Sequence, residues 1–215
     1  MHDNEKDIVN DPHPKPVHGS TNMNPLSKRV EALKQTLLSK GLITQIELEA
    51  TIIELDQRTP LDGAQIIAKA WTDSEFRDRL IIDGTKAVSE LGYTPPDDFQ
   101  TLVILENTHA MHHLIVCTLC SCYPRWLLGR PPDWYKSIAY RSKAVLDPRG
   151  VLEDFGLQLP PSIGIRVVDS TAEVRYMVLP LRPTGTENLT TEQLAELITR
   201  DSLIGVGVPH SPKTG

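Results

Sequence analysis

The sequence predicts an α+β protein: an N-terminal helical arm, then an α/β-layered globular domain with mostly antiparallel strands. Two observations carry this. Apolar residues recur at helical spacing from Leu26 to about Gly92, and β-branched apolar runs take over after Tyr93, interleaved with further helical patterns. No internal repeat argues for a solenoid or propeller instead.

Residues 1–25 are rich in His, Pro, Asn and Asp and are expected to be a disordered tail, with too little apolar surface to offset the entropy of ordering. The tail's His2, His13 and His18 are read as solvated rather than as ligands. Leu26, Val30, Leu33 and Leu37 form one helical face, closed by Gly41. Thr44 to Glu47 reads as a capping box ahead of a second helix, Pro60 opens a third, and Thr72 to Glu75 reads as another box opening a helix toward Gly92. Together 26–98 is expected to be a helical arm that wraps a partner.

The runs 101–107 and 113–119 have strand character, and 163–170 with 172–180 is expected to be an antiparallel pair. Between them, Pro124, Gly129, Pro131 and Pro132 keep the chain irregular, and a helical stretch follows from Asp133 to Phe155, interrupted near Pro148. A helix beginning near Thr191 and Gln193 ends the globular part. The expected division is a tail (1–25), the arm (26–98), a metal-binding α+β catalytic domain (99–208) and a C-terminal tail (209–215).

Composition excludes several functions. Of 215 residues, 40% are hydrophobic and 23% charged, as in soluble globular proteins. A net charge of −6 gives no basic field for nucleic acid or anionic lipid. No run approaches the roughly 20 apolar residues of a membrane helix. The first residues lack the apolar core of a secretory signal, so a cytoplasmic location is expected.

All three cysteines fall at Cys117, Cys120 and Cys122. Three cannot make a disulfide framework without a remainder. A structural zinc site would need a second ligand pair, and His112 and His113 lie too near in sequence to be an obvious remote one. A redox pair would meet competition from the third thiol, and an iron–sulfur cluster normally takes four ligands. Three buried small hydrophobes is the bland alternative. The remaining reading is a mononuclear site, in which the three sulfurs and the amide nitrogens of Ser121 and Cys122 bind one strongly polarising ion.

The string C-T-L-C-S-C-Y-P, followed by Gly129-x-Pro131-Pro132-x-Trp134-Tyr135-Lys136 and Tyr140-Arg141, resembles the α subunit of nitrile hydratase and the related γ subunit of thiocyanate hydrolase. The likeness continues through Asp147-Pro148-Arg149, Arg175 to Pro180, Gly185-Thr186-Glu187 and Thr199-Arg200-Asp201. It implies metal ligands at Cys117, Cys120, Ser121 and Cys122, with Cys120 oxidised to sulfinic and Cys122 to sulfenic acid, both engaged in catalysis. Thr118 resembles the cobalt-type variant, which implies one Co3+ per chain in preference to iron. The implied reaction is hydration of a nitrile to an amide at a Lewis-acidic Co(III) centre. The implied partners are a β subunit in an αβ or α2β2 assembly, a small nitrile, and an activator protein that inserts the metal. Arg175 matches an arginine supporting the site at the subunit interface. Trp134 and Tyr135 match a packing segment, and Glu106 is placed either behind the site or as a solvated carboxylate.

One departure stands out. Nitrile hydratases usually carry Trp directly after Cys-Tyr-Pro, lining the substrate pocket, whereas this chain has Arg125 followed by Trp126. Arginine there looks more like the thiocyanate hydrolase γ subunit and would favour an anion. The stretch Val168 to Arg175 looks closer to nitrile hydratases, the reading preferred here. A non-catalytic metal- or redox-sensing module using Cys117 and Cys120 is the third alternative.

Overall fold

The computed structural model describes residues 25–95, 100–120 and 122–212. The expected N-terminal tail up to residue 24 and the site residue Ser121 lie outside them. The chain divides into two units, one ending at Gln57 and the other beginning at Arg58.

The first unit holds α1 (Pro25–Ser39) and α2 (Gln45–Gln57). Gly41, at φ 64°, ends the first: the amides of Gly41 and Leu42 donate back to Leu38 O and Leu37 O, which satisfies carbonyls that the helix end would leave open. The expected capping box is formed. Thr44 N donates to the Glu47 carboxylate (2.8 Å), and Glu47 N donates to Thr44 Oγ1 (3.1 Å). Leu26, Val30, Leu33, Leu42, Ile46, Ile52 and Ile53 all remain exposed.

The second unit begins with α3 (Pro60–Thr72), α4 (Ser74–Ile82) and α5 (Gly84–Ser89). The cap of α4 differs from expectation. Asp73, one residue after Thr72, is the N-cap and accepts from Phe76 N (2.9 Å). The long helix expected toward Gly92 is broken at Asp83, whose carboxylate accepts from Lys86 N and starts α5. These helices are core. Ile66 and Ile67 of α3 are fully buried, together worth about 3–6 kcal/mol. That burial commits α3 to its own unit.

The strands are β1 (Thr101–Glu106), β2 (Met111–Val116), β3 (Gly164–Asp169) and β4 (Val174–Leu179). Their pairing corrects the expected antiparallel arrangement. β1 pairs with β4 in parallel, Thr101 opposite Val174, and β2 pairs with β3 in parallel, Met111 opposite Gly164. Parallel pairing needs a long crossover, and the segment between Val116 and Gly164 supplies one. It carries α6 (Arg125–Leu128), a 3-10 turn at Asp133–Lys136, α7 (Ile138–Leu146) and α8 (Pro148–Asp154). The four residues between β3 and β4 do not make them a hairpin: each strand leaves toward a different sheet.

After β4 come α9 (Thr191–Leu197) and α10 (Arg200–Ile204), both opened by capping boxes. Leu102, Met177, Leu179, Leu194 and Leu203 fill the core with α3. Gly205, at φ 90°, ends α10 so close to β2 that a Cβ there would lie 1.9 Å from His113 O. Among the described residues no helix is long and apolar enough to cross a membrane.

Candidate metal centre

The cysteines sit where β2 ends and the crossover begins. Cys117 directly follows the strand and is buried, Cys122 is half-buried and Cys120 is exposed. Their sulfurs all lie within 4.8 Å of one another. Cys117 Sγ to Cys120 Sγ is 3.5 Å and Cys120 Sγ to Cys122 Sγ is 3.2 Å. Both are far beyond a disulfide bond. Ligands held at about 2.3 Å from one ion at right angles are about 3.3 Å apart, given ordinary metal–thiolate lengths. The measured spacings therefore fit neighbouring positions around a single metal. The sulfurs are graded from buried to exposed, so one side of the cluster is closed by protein and the other is open.

The loop is gripped along its length. Thr118 donates from its amide (2.9 Å) and its hydroxyl (2.5 Å) to the Asp169 carboxylate at the end of β3. Cys120 N donates to Cys117 Sγ (3.3 Å). Arg141 of α7 reaches Thr118 O (3.4 Å) and Cys120 O (3.2 Å). Tyr135, fully buried, donates its hydroxyl to Cys122 O (2.9 Å). Behind the loop, Tyr123, Trp134, Tyr135, Tyr140 and Phe155 make a chain of mostly edge-on ring contacts, with Trp134 and Phe155 centroids 4.6 Å apart.

The electrostatics of the cluster are set first by burial. Burial first, then hydrogen bonds with Cys120 and Cys117, pushes the Cys122 thiol up to about 12, and the Arg175 charge works against them. A metal binding there has to displace protons. Burial first, reinforced by Cys117, Tyr123 and Cys122 and opposed by a hydrogen bond with Ser170, holds the Tyr135 hydroxyl far above its ordinary range, so it remains a donor at any pH near neutral.

Other expected residues are placed as follows. Arg175, on β4, is buried and near enough to Cys122 to affect its thiol; its Nη1 donates to Thr171 O and to Val174 O (3.4 Å). The Thr118 hydroxyl is turned to Asp169. Arg125 opens α6 and is exposed, while Trp126 packs against the core. Glu106 is taken up by an ion pair with Arg77 of α4. His112 and His113 form a closed network with Asn107. Asn107 Oδ1 accepts from His113 N (2.8 Å), Asn107 Nδ2 meets His112 Nδ1 (3.1 Å), and His112 Nε2 meets Gly205 O (2.7 Å). These contacts are consistent with a neutral His112 carrying its proton on Nε2, an assignment made from its partners.

Sequence reading missed Asp169 and Arg141 as loop anchors and saw Tyr135 only as packing. Only the parallel β2–β3 register, which sets Asp169 opposite Val116 and so next to the first cysteine, marks Asp169. No local signal marks Arg141 or the hydroxyl of Tyr135.

Fold and donor set define a class: an α+β chain whose loop, at the carboxyl ends of a parallel strand pair, presents three thiols at metal-ligand spacing. The profile of the family "Nitrile hydratase, alpha chain" matches residues 24–207. The chain is 51% identical over 189 residues to the low-molecular weight cobalt-containing nitrile hydratase subunit alpha of Rhodococcus rhodochrous, covering 87% of this chain and 90% of that one. It is 42% identical over 188 residues to thiocyanate hydrolase subunit gamma of Thiobacillus thioparus, covering 83% and 77%. A double mutant of the Fe-type nitrile hydratase of Comamonas testosteroni Ni1 superposes with a TM-score of 0.83 at 44% identity, over 88% of this chain and 94% of that one. The chain belongs to the nitrile hydratase alpha chain family.

Proposed function

We propose that this chain is the metal-carrying α subunit of a hetero-oligomeric nitrile hydratase, hydrating nitriles to amides. The observation that carries the proposal is the sulfur spacing of 3.2 and 3.5 Å at the family's cysteine loop. Cys117, Cys120 and Cys122 would hold the ion, with the backbone nitrogens of Ser121 and Cys122 as further donors. Cobalt is the proposed metal, supported by the cobalt-containing relative and by Thr118; the iron-type neighbour makes iron the competing ion. When bound, the ion supplies a Lewis acid that activates a nitrile or a water.

The chain's own residues do the rest. Cys117 anchors the closed side, and Cys120 and Cys122 face the side from which substrate can approach. The exposure of Cys120, against the burial of Cys117, supports sulfinic acid at Cys120, since oxidation follows access; sulfenic acid at Cys122 rests on the family's cysteine motif. Arg175 adds positive charge beside Cys122. The exposed apolar residues of α1 and α2 support a β-subunit partner. The partner-wrapping role expected of 26–98 is accordingly assigned to 25–57, because α3 to α5 bury their faces at home. An activator protein that inserts the metal and a cytoplasmic location complete the reading.

Arg125 favours a second reading. Exposed three residues beyond Cys122, it would attract an anion, and the relative from Thiobacillus thioparus acts on thiocyanate by name. The test is co-expression with the β subunit, elemental analysis, and assays of amide formation and thiocyanate loss. One cobalt per chain with amide formation is expected, abolished by Cys122→Ala. Active enzyme holding iron or zinc at one equivalent rejects cobalt. Thiocyanate turnover without nitrile turnover decides for the second reading.

A further inference from the structure

We propose that Arg141 is a positioning residue that sets the shape of the cysteine loop and so governs how firmly the centre keeps its metal. The inference rests on reading the cluster as a metal site and adds to it a residue outside the loop. Arg141 projects from α7, a helix capped at its start and tied to β2. Its N-cap Ser137 accepts from Tyr140 N (3.1 Å), and the Tyr140 hydroxyl donates to Ile115 O of β2 (2.6 Å). From this fixed base one guanidinium nitrogen bridges Thr118 O and Cys120 O. Asp169 holds the amide of the same Thr118 from the opposite element. The residue after the first cysteine is therefore clamped at both its N–H and its C=O.

Two physical consequences follow. A trans peptide sets its carbonyl and its amide on opposite sides. Gripping Thr118 O and Cys120 O from α7 therefore holds the loop backbone on either side of the Leu119–Cys120 peptide, whose amide donates to Cys117 Sγ. Once they give up their protons to hold an ion, three sulfurs with neighbouring pairs 3.2 and 3.5 Å apart also repel, and a fixed positive charge behind the loop offsets part of that repulsion. A planar guanidinium can bridge two acceptors where an ammonium, a point charge on a flexible stem, holds them less firmly. Arg141 Nε is enclosed with no hydrogen-bond partner among the described residues.

The test uses the complex of this chain with its β subunit. Arg141→Ala, Arg141→Lys and Arg149→Ala are compared with wild type for metal per chain, the visible sulfur-to-metal absorption band, and the rate of metal loss to a chelator. Arg149 is the control, because it too spans two carbonyls, Leu159 O (2.9 Å) and Ile163 O (2.8 Å), in a segment outside the loop. Arg141→Ala is expected to lose metal on the order of 10–100-fold faster, the usual effect of removing an outer partner of a metal site. Arg141→Lys should fall between that variant and wild type, with a shifted absorption band. Arg149→Ala should melt earlier yet release metal at the wild-type rate. Wild-type release from both Arg141 variants, or equal loosening by Arg149→Ala, overturns the inference. If Arg141→Ala does not fold, Arg141→Lys decides by the same readouts. A wild type without thiolate-bound metal overturns the metal reading together with this inference, whereas metal-loaded wild type with indifferent variants overturns this inference alone.

Discussion

Replacing Tyr135 with Phe removes one oxygen and leaves the ring where it is. That oxygen donates to Cys122 O at 2.9 Å, and the side chain is fully buried. The ring keeps its contacts with Tyr123, Tyr140 and Trp134, with centroids 5.5, 5.8 and 6.0 Å away. What is lost is a neutral hydrogen bond whose acceptor is left part-buried, a cost of about 1–2 kcal/mol. At about 2–4 °C per kcal/mol for a chain of this size, the melting midpoint should fall by about 2–8 °C. Stability alone would not separate a loop anchor from any buried tyrosine. Tyr140→Phe provides that separation, since the Tyr140 hydroxyl donates to Ile115 O (2.6 Å) within the strand. Both variants should melt earlier by similar amounts, measured by circular dichroism on the metal-loaded complex. Tyr135→Phe should also release metal about tenfold faster, the lower end of the effect expected for an outer partner, and Tyr140→Phe should do so less, because its bond steadies α7 and not the cysteine backbone itself. An unchanged midpoint for Tyr135→Phe, or equal metal loss from the two variants, refutes the reasoning.

Two further outcomes are expected. Burial holds the pKa of His112 below its ordinary value, and burial followed by the charge of Arg166 does the same for His113. The unfolded chain therefore binds more protons than the folded one below about pH 6.5, and stability should fall as pH drops through that range; midpoints independent of pH between 7.5 and 5 would contradict the neutral network around Asn107. Arg125→Trp should shift preference among nitriles by about 1–3 kcal/mol in kcat/KM, the scale of a hydrophobic pocket change, and no shift for any nitrile or for thiocyanate would place Arg125 away from the substrate path.

Much of the local structure is legible in the residues. The Thr44–Glu47 box, Pro60 at a helix start and the interruption at Pro148 are each decided by one or two side chains acting on neighbouring backbone, and each is formed. The cysteine cluster is legible for the same reason, because its three donors lie within one short loop. Strand pairing depends instead on distant segments. The short link between β3 and β4 suggests a hairpin, yet the better clue is in β2, where His112 to Val116 are all buried. A strand covered on both faces belongs to a parallel sheet more often than to a half-solvated hairpin. Thr72 was a plausible cap by type, but Asp73, one position later, competes for the same amides and wins. The loop's outer anchors are the least legible part, because Tyr135 and Arg141 reach backbone carbonyls, which leave no pattern in the sequence.

The parallel pairing is more than a detail of topology, because it builds the site. In parallel ribbons the carboxyl ends of both strands lie together, and ligands of α/β sheets collect at such ends. Here Val116 and Asp169 are opposite one another at the ends of β2 and β3. The next residues of β2's chain are the first cysteine and Thr118, so register alone delivers the Asp169 carboxylate to the Thr118 amide and hydroxyl. An antiparallel hairpin of β3 with β4 would take Asp169 to a turn instead. The crossover that parallel pairing requires must leave β2 at this point, and its first element is the cysteine loop. The same crossover then carries Tyr135 and α7 back against the loop it began with, one anchor for Cys122 O and another for Thr118 O and Cys120 O. One topological choice thus places the donors and the groups that hold their backbone. A change that breaks the β2–β3 register should accordingly disperse the sulfurs even if every cysteine is retained.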